Sequence, residues 1–442
     1  MPDASAFEPR PPFEAAFRAA LEGADAYRAV RVGLRVHDDI LRIGNRFVPN
    51  DRFREIGFVA LGNASGSMAL AAQEMLGERL TQGLSAGAGA APEALQFRHV
   101  SVSDPWPGSA AAESARANLF ELVSGLGAGD LLLVLLSPGA FSITAGPPAG
   151  WNTVDWRHLL QEVTARSGPV DAVRLARTVG TGAVGGRLGA AVPEAMVATL
   201  VVDRGEGAEW VGGGPTIPVR SAERTQARSL VLGTAAASVP SGPEVVLGPN
   251  VHRPVVVTGP ADAIEGGGNL LAGQGWVSRM AALHLDGTPE EVATQFVEGM
   301  EKIRREQVAA PGRPLLSQSD TDSGVSLPRW PSTDTPVTKP ESRGLAVLAG
   351  ATFRTVEGGE RADDVAAFLR AAAHQLTRRE AYVGALRTAG DLPDRGESAG
   401  RWLARRTEES PSSGPRADSF PVRPGFTDVG TLLVGLVPWV AR

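Results

Sequence analysis

Few residues in this chain have both the type and the spacing that chemistry requires. Asp203 follows the apolar run Thr199-Leu200-Val201-Val202. A carboxylate at the C-terminal edge of a parallel strand is where ligands or Mg²⁺ bind in open α/β sheets; the plainer reading is a turn cap. Glu206 is close enough to assist it, or is a solvated loop residue. Gly180-Thr181-Gly182-Ala183-Val184-Gly185 matches GxGxxG by letter, and Asp203 lies 18 residues beyond Gly185. A dinucleotide fingerprint also needs a strand directly before the glycines. Here DAVRLARTV has helical spacing, so the glycines read as a turn. Gly396-Glu397-Ser398-Ala399-Gly400 matches the GxSxG elbow but lacks the strand that must lead into it. Ser65 stands at a strand-to-helix turn, where a nucleophile would be displayed and where a helix also wants a cap. The six histidines form no HxH or HExxH pair, and His37-Asp38-Asp39 reads as an exposed turn rather than a metal site. Asp320 and Asp322 lie in a polar loop that could bring a carboxylate to a cleft. No GxxxxGK[ST] occurs, which excludes a P-loop.

Such residues need a scaffold, and the apolar pattern supplies one. Residues 12–33 have helical spacing, with Phe13, Phe17, Leu21 and Val30 on one face. A hairpin follows over 40–48, turning at Gly44-Asn45, where Asn45 suits a positive φ. From residue 57 short strands and helices alternate: a strand at 57–61, helices near 66–79 and 110–126, and the run Leu131 to Leu136, whose lack of polar residues fits a strand covered on both faces. Helices at 155–166 and 170–177 precede a strand from Met196 to Val202. The chain restarts beyond about 240 with a strand at 254–258, a helix at 289–307, a strand at 344–350, a helix at 361–378 and a last strand at 431–437. The segments 317–343 and 407–425 are polar and proline-rich loops. Strand–helix alternation of this kind implies a parallel sheet with helices on both faces.

Composition narrows the function. The chain has 442 residues, 43% of them hydrophobic and 21% charged, enough for two or three domains with large cores. Its longest apolar run has six residues, far short of the roughly 20 a membrane helix needs. The N-terminus lacks the pattern of a signal peptide. With no cysteine, disulfides, thiolate nucleophiles and Cys–zinc sites are excluded. The net charge of −6, with basic residues dispersed, argues against nucleic acid as a partner. Among 43 basic residues only Lys302 and Lys339 are lysines. That bias accords with a GC-rich bacterial genome, and neither lysine lies in a glycine-rich loop. The expected location is the cytoplasm.

The order of the pieces resembles the glycerate 2-kinases that carry a C-terminal MOFRL domain. The resemblance begins at ILRIGNRFVPNDRFREIGFVALGNASGSMALAA (40–72), where that family has a hairpin, a strand and a Gly-Lys-Ala-Ala turn. It continues at DPWPGSAAAESARANLFELVSGLGAGDLLLVLLSPGA (104–140), at Val184-Gly185-Gly186-Arg187-Leu188 for Lys-Gly-Gly-Arg-Leu, and at Gly213-Gly214-Pro215-Thr216 for Ser-Gly-Pro-Thr. The end, PGFTDVGTLLVGLV (424–437), is faintly similar to the family's closure. The departures fall on the family's charged groups. Asn63 replaces the phosphate-contacting lysine, and an amide cannot neutralise a transferring phosphoryl group. Ser137-Pro138-Gly139-Ala140-Phe141 replaces the glycine-rich phosphate loop; proline removes one N–H, and Phe141 puts a large ring where the backbone should approach an anion. Val184 replaces a second lysine. Of Asn-x-Val-Arg-Lys-His-Leu-Ser only Arg177 remains, and Gly350-Ala351-Thr352-Phe353 lacks the carboxylate of Gly-Thr-Asp-Gly.

The resemblance implies an α/β fold: a Rossmann-like parallel-sheet domain over 45–240 and a MOFRL-like α/β domain over 241–442, with residues 1–44 packing on the latter and a cleft between the two. Arg177 and Asp203 are the catalytic candidates it implies. Ligand contacts are expected from Asn63, Ser65, Ser137, Gly139, Gly185, Gly186, Arg187, Gly214, Pro215 and Thr216. The function expected is that of a diverged family member in which ATP:glycerate transfer is lost or altered, binding a small anion or acting as a protein partner or homodimer. The rival is a working kinase that uses ATP and Mg²⁺, with arginines in place of the lysines.

Overall fold

The computed structural model describes residues 10–104, 106–231, 242, 244–309, 343–353, 362–376, 381–389, 400–403, 417–420 and 426–438. Its first helical stretch is two helices rather than one, α1 (Arg10–Gly23) and α2 (Ala26–Gly33). Asp25 caps α2 by accepting from the Arg28 amide at 3.1 Å. Gly23 is needed for close packing: a Cβ there would lie 2.5 Å from the Asp262 carbonyl oxygen. The expected hairpin is part of a three-stranded antiparallel sheet, β1 (Leu34–His37), β2 (Ile40–Ile43) and β3 (Arg46–Pro49). At its tight turn the positive φ, +61°, belongs to Gly44 and not to Asn45. A two-residue turn with glycine first takes the positive φ at that first position.

The parallel sheet then assembles from β4 (Ile56–Leu61), α3 (Ser65–Leu76), β5 (Leu80–Gly87), β6 (Arg98–Ser101), α4 (Ala110–Ser124) and β7 (Leu131–Leu136). After β7 come α5 (Phe141–Thr144), the two-residue ladder of β8 (Ala145–Gly146) with β9 (Thr181–Gly182), and between its strands α6 (Thr153–Ser167) and α7 (Pro169–Val179). The short α8 (Arg187–Ala190), β10 (Met196–Val202), α9 (Ser221–Val231) and β11 (Val255–Thr258) complete this part. The order is β11-β10-β7-β4-β5-β6, with every pairing parallel. β11 lies past the expected boundary at 240 and still joins this sheet.

Alternation explains why β4 and β7 carry no polar residue. Ile56, Phe58 and Ala60, with Leu131, Leu133 and Leu135, face a core shared with α1, α2 and α3. Val59 and Leu61, with Leu132, Val134 and Leu136, face α4 on the other side. Two buried faces leave no position for a solvated side chain.

The second sheet contains β12 (Trp276–Gly287), β13 (Gly344–Phe353), β14 (Tyr382–Ala389), β15 (Gly400–Leu403), β16 (Ala417–Phe420) and β17 (Phe426–Pro438), entered through α10 (Pro260–Gly273). Its order is β12-β13-β17-β14-β15-β16; only β12 and β13 run parallel. Here too alternation assigns faces. Ala346 and Leu348 join the core that contains Phe58 and Phe13. Leu345, Val347 and Ala349 pack under α11 (Pro289–Ala309) and α12 (Ala362–Gln375). Helix α1 packs against α10 and this second sheet, where Gly384 leaves room for Phe13 and Phe17. One continuous core therefore ties the parallel sheet to the mixed one.

Candidate functional site

The turns after β4, β7 and β10 gather at the C-terminal edge of the parallel sheet, where open α/β folds bind ligands. The first two interlock. The buried Ser137 hydroxyl accepts from the Ala64 amide at 3.0 Å and donates to the Leu61 carbonyl at 3.3 Å. The Asn63 amide donates to Pro138 O at 2.8 Å, and Ser137 N donates to Leu61 O at 2.9 Å. Gly139, at φ +89°, lies against the Asn63 amide group, so closely that a Cβ would come within 2.4 Å of Oδ1. Asn63, Ser137 and Gly139 are thus brought together, but mostly to bind one another. Of the amides this loop could aim at an anion, the one at 137 is used and the one at 138 does not exist. Phe141 turns away from the loop: its ring packs on the cluster containing Trp106 and Trp156. Ser65 does not cap α3. Ala64 holds that position, and the fully buried Ser65 hydroxyl has no hydrogen-bond partner.

The next group is built around Arg177, which is completely buried. Its Nε donates to Glu223 Oε2 at 2.9 Å and Nη2 to Oε1 at 3.3 Å. Nη1 donates to the carbonyls of Glu209 (2.8 Å) and Gly213 (3.0 Å), and Nη2 to that of Pro218 (3.4 Å). A guanidinium has five N–H donors, and all five are engaged by the protein. Gly214, at φ +56°, has no side chain because Arg177 Nη1 occupies that space. The Gly185 and Gly186 amides donate to Gly213 O and Gly214 O at 2.8 and 2.9 Å, Pro215 O accepts from Leu188 and Gly189, and Thr216 Oγ1 lies 2.9 Å from Thr199 Oγ1. The 185–187 and 213–216 loops are therefore zipped to each other.

Arg187 is the exception. It is half-buried, and its Nη1 donates to two backbone carbonyls, Arg177 O at 3.2 Å and Val184 O at 2.8 Å. Burial, with the positive charges of Arg224 and Arg177 beside it, lowers its pKa from the ordinary arginine value. A cation whose neighbours are also cations is suited to an anion.

After β10, the Asp203 carboxylate accepts from the Gly207 amide at 3.2 Å and is 8% exposed. Burial raises its pKa above the ordinary carboxylate value, against the lowering effect of the turn's amides and of His284. Glu206 is raised as well, again by burial first, with Arg204 and His284 opposing and Asp203 and Asp286 adding to it. His284 and Asp286 come from β12, so this cluster spans the two sheets. With Trp210, Arg174 and residues 167–170 at the start of α7, Glu206, His284 and Asp286 line a cavity of about 270 Å³. It lies between the two sheets, and none of the ligand contacts expected from the sequence is among the residues that line it. His284, Asp286, Arg174 and Trp210 were not anticipated as site residues. The spacing His284-Leu285-Asp286 was a usable signal, since alternate residues of a strand share a face.

The GxGxxG segment follows helix α7 and not a strand, so the dinucleotide context is missing. His37 and Asp38 are exposed at the β1–β2 turn, and among the described residues no three His, Asp or Glu side chains group as metal ligands. Ser398, Asp320 and Asp322 lie outside the described residues. Among those described, no helix is long and apolar enough to cross a membrane.

Residues 13–242 match the family model described as a domain of unknown function, DUF4147. A protein provisionally named hydroxypyruvate reductase from Agrobacterium vitis is 25% identical over 280 residues, 61% of this chain and 72% of that protein. Human glycerate kinase is 30% identical over 223 residues, 46% of this chain and 42% of that one. The crystal structure of glycerate kinase from Thermotoga maritima superposes with a TM-score of 0.64 at 16% identity, covering 96% of this chain and 97% of that chain. The α/β architecture of the two is shared.

Proposed function

The chain belongs to the DUF4147 family, of glycerate-kinase type, and from that premise we propose that its ATP-dependent phosphoryl transfer to glycerate is lost or altered and that it binds a small anion instead. The observation that carries this is the internal use of the groups the family would turn toward phosphate. Arg177 spends all five donors on Glu223 and three carbonyls. Asn63 and Val184 are neutral where lysines are expected, and the Gly185 and Gly186 amides are bonded to the facing loop. Phosphoryl transfer depends on positioning and on neutralising charge spread over the transferring oxygens, and donors of that kind are worth about 10²–10³ in rate each. These residues do not fit a nucleoside triphosphate.

In this reading Arg177 is a positioning residue that holds the 209–218 segment, and Arg187 is the cation left for an anion. Asp203 holds its turn through Gly207 and keeps a carboxylate at the cleft. Calorimetry and thermal unfolding with and without Mg-ATP test the reading. A ligand present at about 100 times its Kd adds about 2.7 kcal/mol to stability. The expected result is no Mg-dependent shift at millimolar ATP. A clear shift supports the rival, a live kinase with arginines in place of lysines.

A further inference from the structure

Strand β5 ends at Gly87, and β6 begins at Arg98. Both ends of the connection between them are tied down. The Val102 amide donates to Gly87 O at 2.8 Å, and Gly87 lies so close to the β4–α3 turn that a Cβ would fall 1.8 Å from Gly62 O and 2.6 Å from Ser65 Oγ. At the far end, Gln73 of α3 donates from Nε2 to Ala94 O at 2.9 Å and accepts from the Gln96 amide at 2.8 Å. Pro92 presses on the first turn of α3, its Cδ 2.9 Å from where a Cβ of Gly66 would stand. Between these ties residues 88–91 form a short strap. Among the described residues it has a single hydrogen bond, from His99 Nε2 to Gly89 O at 3.2 Å.

That bond fixes the state of the ring. A carbonyl oxygen only accepts, so Nε2 carries the hydrogen and Nδ1 is left as an acceptor. Nδ1 lies 2.9 Å from Oγ of Ser85, its register partner on β5, so the Ser85 hydroxyl donates to it. Ser85 is completely buried. A proton arriving at Nδ1 would set two hydrogens against each other across this contact. The hydroxyl would then have to turn its hydrogen into the core, where a donor without an acceptor is costly. Burial lowers the pKa of the ring from the ordinary histidine value, with only the Gly89 carbonyl opposing. No charged side chain of β5, α3, α4 or the strap acts on the ring, and Arg98, beside it on β6, turns to Asn118 of α4 at 2.8 Å. We propose that His99 is a pH-operated latch: its neutral ring holds the 88–91 strap beside the start of α3, and the ring protonated at both nitrogens lets the strap go. The imidazolium escapes its conflict with Ser85 by turning out to water, which gives up the one bond that holds Gly89. The closed strap favours the neutral ring, so it is held above the ordinary histidine pKa, about 6.5, and loses ground as pH falls below that value. The strap borders the turn that carries Asn63, so acid widens access to that part of the sheet edge. None of this depends on whether phosphoryl transfer survives.

The chain has no cysteine, so a single thiol can be labelled cleanly. A nitroxide on Ala90→Cys reports the strap, and one on Ala110→Cys, at the exposed start of α4, reports the frame. Electron paramagnetic resonance of the full chain is expected to show the mobile fraction at 90 rising about threefold or more between about pH 7.5 and about pH 5.5, with no rise at 110. In His99→Gln, which cannot titrate, the signal at 90 should not change with pH; His99→Asn serves if the glutamine variant fails to fold, as circular dichroism and melting show. Nitrogen NMR of the ring should find the Nε2–H tautomer at neutral pH. A mobile fraction at 90 that ignores pH, an equal rise at 110, the same rise in the folded His99 variant, or an Nδ1–H tautomer overturns the proposal. Mg-ATP binding, present or absent, leaves these readings unaffected, so failure here is distinct from failure of the kinase-loss reading.

Discussion

Replacing Arg177 with alanine is expected to destabilise the protein strongly, because the side chain is a structural member of the fold. The side chain is 0% exposed and Glu223, its partner, is 9% exposed. Truncation leaves that carboxylate buried without its cation, strips hydrogen bonds from the carbonyls of Glu209, Gly213 and Pro218, and opens a void beside Gly214. Breaking a buried pair by removing one member costs about 3–5 kcal/mol. Each carbonyl left dry adds to that, so about 4 kcal/mol or more is the expected loss. For a folding unit of about 200 residues this lowers the melting temperature by about 8–16 °C. Arg177→Lys should recover little, because an ammonium cannot reproduce the fork to Glu223. Urea titration and thermal melting read the effect. A cost under about 1 kcal/mol in the alanine variant, with ligand binding abolished, would refute the structural assignment and restore Arg177 as a ligand-binding group.

Three other perturbations have defined outcomes. Ser137→Ala leaves the buried Ala64 amide without its acceptor and should cost about 1–3 kcal/mol in urea unfolding. Gly87→Ala should cost about 1–3 kcal/mol or more, because its Cβ would fall 1.8 Å from the Gly62 carbonyl oxygen, a backbone atom with no freedom to yield; the readout is again the denaturation midpoint. Asp203→Asn concerns pH. A carboxyl whose folded pKa is raised by burial binds its proton more tightly in the folded state. Stability is then lost as pH rises from the unfolded pKa, about 3.9, to the higher folded value, and stays lost above it. The asparagine variant should therefore match or exceed the parent in stability at neutral pH and show a flatter stability profile across that window, measured by urea titrations at stepped pH.

Much of the scaffold was legible because its central strands are covered twice. Leu131 to Leu136 has no polar position because both of its faces are interior, and a run of that kind reads as a buried strand without any tertiary knowledge. Strand β5 did not read as one. Its sequence, LTQGLSAG, contains glycines where neighbours come too close for a side chain: Phe58 lies over Gly83, and the Gly62 carbonyl meets Gly87. The break between α1 and α2 was hidden for a similar reason, since Gly23 answers to Asp262, far along the chain. At the site, the residues around Asn63 and Arg187 could be placed by resemblance to glycerate 2-kinases, but their partners could not. The atoms that saturate Arg177 come from residues 209, 213, 218 and 223, and spacing alone does not bring those together. The cavity residues His284 and Asp286 were open to a strand-face argument, yet their meeting with Glu206 depends on how the two sheets pack.

Under the function proposed, the groups suited to phosphoryl transfer are absent or turned inward. Glycerate-dependent release of ADP from Mg-ATP, followed with purified protein over a range of protein concentrations, tests it most directly. The expected rate does not rise above the glycerate-free background in proportion to protein. ADP formation that requires glycerate and scales with protein concentration would contradict it.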